Sequence, residues 1–179
     1  MKETNYKTSI LKLILITISI LYISFLYIDI TGVKLFISSD KIKYICIILC
    51  FFISLLIGED CINTRDRHLL QLGLFLTVIA DLFLLIYPHY TLGVAIFCIA
   101  QTFHSIRYDN ENAYQIIKEY ISMLLIIIVI YSIVNFFIID IEFLFTISFF
   151  YAIFLVVNVT KAIRACKYDL FPSPNKYMI

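Results

Sequence analysis

The sequence predicts an all-α protein: a polytopic transmembrane helix bundle of about six spans, with both termini cytoplasmic. Three observations predict it. Hydrophobic residues make up 62% of the 179 positions and mean hydropathy is +0.96, more apolar surface than a water-soluble domain of this size can hide. The apolar residues gather into runs near the length that crosses a ~30 Å hydrocarbon core. The cations between those runs alternate in number from one side to the other.

The first expected span is Ser9–Ile28. Its apolar run is too long for a cleaved signal peptide and no small-x-small site follows, so it stays as a helix. The second is Ile42–Ile57, the third Leu69–Tyr87 and the fourth Leu92–Ile106. Tyr87-Pro88-His89-Tyr90-Thr91 forms the turn between the third and fourth. The second and fourth are short and need a thinned bilayer or shielding by neighbours. The fifth and sixth, Tyr120–Ile139 and Phe143–Ile163, form one apolar stretch broken only at Asp140-Ile141-Glu142. As one helix it would run about 65 Å, twice the membrane, so it folds into a hairpin with the acids at its tip.

With the N-terminus inside, eleven of the fourteen cations face the cytoplasm: Lys2, Lys7, Lys12, Arg65, Arg67, Arg107, Lys118, Lys161, Arg164, Lys167 and Lys176. Only Lys34, Lys41 and Lys43 face out. This asymmetry sets the direction, and a multi-pass protein of the cell membrane follows from it. Residues 1–179 read as a single integral membrane domain, with 164–179 a polar tail. Pro172 and Pro174 discourage helix there, and the tail reads as an inner loop on the way to a further helix. A missing helix would leave an apolar groove, filled by lipid or by a second copy of the chain.

Net charge is +1, which removes any electrostatic case for nucleic acid. The cysteines at 46, 50, 61, 98 and 166 read as small packing residues. Nothing resembles a zinc site, a phosphate-cradling loop or a nucleophile elbow, and no cofactor is expected.

Intramembrane polar residues carry the functional question. Asp81 lies about 10 Å below the turn at Pro88 and Gln101 about 12 Å below it. A carboxylate at such depth costs roughly 2.5–3.5 kcal/mol on insertion scales. Gln101, His104 and Tyr108 share one helical face, which Phe97 continues upward. One reading is a polar pocket in which Asp81 exchanges protons with substrate or water. The other is a structural hydrogen bond between helices. Asn135 and Asn158 read first as helix glue, with Asn158 also a candidate for substrate contact. Lys161 reads as a snorkelling residue. Lys43, at the start of the second span, suits a lipid phosphate or an interfacial anchor.

Ala80-Asp81-Leu82-Phe83-Leu84, followed by Gly93, Phe97 and the polar face beyond, resembles the YhhN-like membrane protein family, which includes lysoplasmalogenases. The sharp part covers about 30 residues within 40–165. That family pairs Lys with Pro at the second span, where Lys43 here precedes Tyr44. Its Gly-Asp is Ala80-Asp81 here, and Gln101 and His104 stand at its His and Tyr positions. Its late Ser-Asp motif is absent. The resemblance implies a lysophospholipid as partner and hydrolysis of its vinyl ether bond. Asp81 would protonate the enol ether, His104 would assist attack by water, and Gln101 would orient that water. Lys43, Tyr108 and Asn158 would contact substrate. The rival reading is non-catalytic, either a lipid-binding structural protein or a substrate-capture subunit of a transporter. Against the latter, the first span lacks the alanines such subunits use for docking.

Overall fold

A computed structural model describes residues 2–33, 36–57, 64–108, 113–137 and 142–167. Among them there is no strand. Six α-helices run in order: α1 Lys2–Thr31, α2 Ser39–Ile57, α3 Thr64–Asp81, α4 Tyr90–Tyr108, α5 Ala113–Phe137 and α6 Phe143–Lys167, with a π-helical turn Leu82–Ile86 directly after α3. A helix thus stands at each expected span. Four stretches are long and apolar enough to cross a membrane: Thr8–Thr31, Thr64–Ile86, Ala113–Phe137 and Phe143–Arg164. α2 and α4, of 19 residues each, are not among these four. Asp40, Lys41 and Lys43 lie in the first turns of α2, and Gln101, His104 and Arg107 in the second half of α4. Most of the hairpin tip, residues 138–141, and the tail from 168 lie outside the described residues.

Large aliphatic and aromatic side chains are exposed along α1 and α5, among them Ile16, Ile23, Leu125 and Val129. In water such surface would drive aggregation, whereas in a bilayer the lipid is its solvent. Four hydroxyls of α1 are paired within their own helix. Thr17, Ser19, Ser24 and Thr31 each donate to the carbonyl four residues back, at 2.9, 2.9, 2.8 and 2.7 Å, so none meets hydrocarbon unpaired. Gly32 ends α1 with φ of 65°. Its N–H reaches the Ile28 carbonyl at 2.9 Å, a left-handed C-terminal cap that glycine adopts without steric cost.

The chain divides into two compact units, Met1–His89 and Tyr90–Ile179. In the first, α2 packs against both α1 and α3. Phe51 meets Phe75 at 5.8 Å between ring centroids, and Gln71 Nε2 donates to the Ser54 carbonyl at 3.1 Å. In the second, α4 and α6 form the main interface and α5 lies along both. Its core is Phe150, Phe154, Ile116, Tyr120 and the small residues Ala100 and Ser105. Small residues let helix backbones approach where hydrophobic driving force is lacking.

Candidate functional site

In the first unit, Asp81 is the last α-helical residue of α3 and is half-buried. The next turn is π-helical, closed by the Tyr87 N–H on the Leu82 carbonyl at 2.9 Å. Pro88 has no N–H to give, and the His89 N–H reaches back to the Phe83 carbonyl at 3.1 Å. Among the described residues Asp81 has no hydrogen bond or ion pair. Lys43 is placed differently. Its Nζ sits 2.9 Å from Asp29 Oδ2 and 3.8 Å from Asp40 Oδ1, and 5.6 Å from the Phe25 ring centroid. It ties α2 to α1.

The second unit holds a continuous polar core. Asn158, 4% exposed, donates from Nδ2 to the Gln101 carbonyl at 2.9 Å and to Gln101 Oε1 at 2.7 Å. Tyr120 O–H donates to Ser105 Oγ at 2.6 Å and lies 3.3 Å from Asn158 Oδ1. A phenol has one hydrogen, so it serves the two acceptors in alternation. The Tyr120 ring is stacked on Phe154 at 3.9 Å, and Lys161 Nζ stands 5.9 Å from the centroid of the same ring. One chain of contacts therefore links α4, α5 and α6.

Of the sequence-predicted residues on α4, Gln101 joins this core and spends its amide oxygen on Asn158. His104 presents a buried Nδ1 with no hydrogen-bond partner among the described residues. Tyr108 lies beside Arg107, whose guanidinium carbon is 5.7 Å from its ring centroid. Arg107 is itself only 6% exposed. Tyr120 and Ser105 were not singled out by sequence. Tyr120 opens the fifth span and looks interfacial, and Ser105 is hidden beside the more conspicuous His104.

Above the core, an apolar groove of about 340 Å³ runs between α4, α5 and α6, lined by Cys98, Thr102, Tyr120, Leu124, Phe150 and Phe154 among others. Ile99 and Ile121, also in its lining, are 52% and 53% exposed, so the groove opens sideways. Among the described residues no group of three or more His, Cys, Asp or Glu gathers as a metal site. Comparison with family models, with curated proteins and with solved structures finds no match for this chain.

Proposed function

We propose that the chain is a six-span protein of the cell membrane, with both termini cytoplasmic, and that it is a lysoplasmalogenase-type hydrolase acting on the vinyl ether bond of a lysophospholipid. The observation that carries this reading is Asp81. It is a carboxyl inside an apolar span, at the switch from α- to π-helix, without a bonding partner among the described residues. Such π turns are frequent at functional sites, and ionisable groups inside spans are rare unless they have a task.

The chemistry asks for one acid and one water. The acid donates a proton to the enol-ether carbon, giving an oxocarbenium ion. Water adds to that ion and loses a proton, and the hemiacetal collapses to an aldehyde and the freed glycerol hydroxyl. Asp81 supplies the first proton in this reading.

Two experiments test it. Purified protein in nanodiscs, given a lysoplasmalogen, should release aldehyde, and Asp81→Asn should lower the rate about 100-fold or more while helicity by circular dichroism is kept. Unchanged release by Asp81→Asn, or none by the folded wild type, would overturn the hydrolase reading. For topology, a cysteine at position 90 should react with an impermeant thiol reagent from outside and one at 66 should not. Labelling at 66 would reverse the orientation.

A further inference from the structure

We draw no further inference here: the strongest candidate, the apolar groove of about 340 Å³ between α4, α5 and α6, opens sideways between the exposed Ile99 and Ile121, and nothing in the structure shows what covers it.

Discussion

Tyr120→Phe isolates one hydroxyl in the polar core of the second unit. The ring remains, and with it the stacking on Phe154 at 3.9 Å. What is lost is the bond to Ser105 Oγ at 2.6 Å and the longer contact with Asn158 Oδ1 at 3.3 Å. Ser105 is fully buried, at 0% exposure, so its oxygen has no water to turn to. Interhelical hydrogen bonds in membranes average about 0.6 kcal/mol and reach about 1.7 kcal/mol. The 2.6 Å bond belongs at the upper end, and the stranded Ser105 oxygen adds its desolvation cost. We expect a loss of about 1–2 kcal/mol, read by reversible unfolding in mixed micelles. The decisive form is a double-mutant cycle with Ser105→Ala. With both partners gone, the double variant should be less destabilised than the sum of the singles by at least 0.6 kcal/mol or so. Additivity within about 0.3 kcal/mol would refute the bond.

Three further outcomes follow from the same geometry. Asn158→Leu should cost more than Tyr120→Phe, because it removes two bonds to Gln101, at 2.9 and 2.7 Å, and leaves Oε1 without this donor; the same unfolding assay ranks them. Gly32→Ala should cost about 1 kcal/mol, since φ is 65° and the only penalty is the left-handed backbone, with open space where the Cβ would lie. Lys43→Met should change stability by less than about 1 kcal/mol, because the pair with Asp29 is partly exposed.

The helices were legible because each is a long apolar run, and hydrocarbon thickness fixes how long a run must be. Asp81 was legible for the complementary reason, as a carboxylate standing out in such a run. The π turn after it was not, since Leu82–Ile86 contains neither glycine nor proline and reads as ordinary helix. Gln101 and Asn158 were each visible as amides in apolar surroundings, but their pairing spans 57 positions, and no periodicity within one helix reports what faces it from another. Tyr120 was missed because a tyrosine at a span's edge is so commonly an interfacial anchor. Here it turns inward, and that choice is made by Phe154 and Ser105 on the neighbouring helices.

The Asn158–Gln101 contact also settles how α4 and α6 are indexed against each other. Two helices faced with leucine, isoleucine and phenylalanine can slide past one another by a turn, about 5.4 Å, and meet much the same grease at either setting. Lipid offers no penalty for the slip, because it wets both settings equally. The amide of Asn158 removes that freedom. It grips the main chain and the side chain of a single residue, and one turn away there is no second glutamine to receive it. Displaced one turn toward the start of α4, the carboxamide would face Phe97 and Cys98 with its donors empty. The polar core therefore works as a vernier, a fine scale that permits one alignment among several the apolar surfaces would accept. The Tyr120 hydroxyl reads α5 against the same mark.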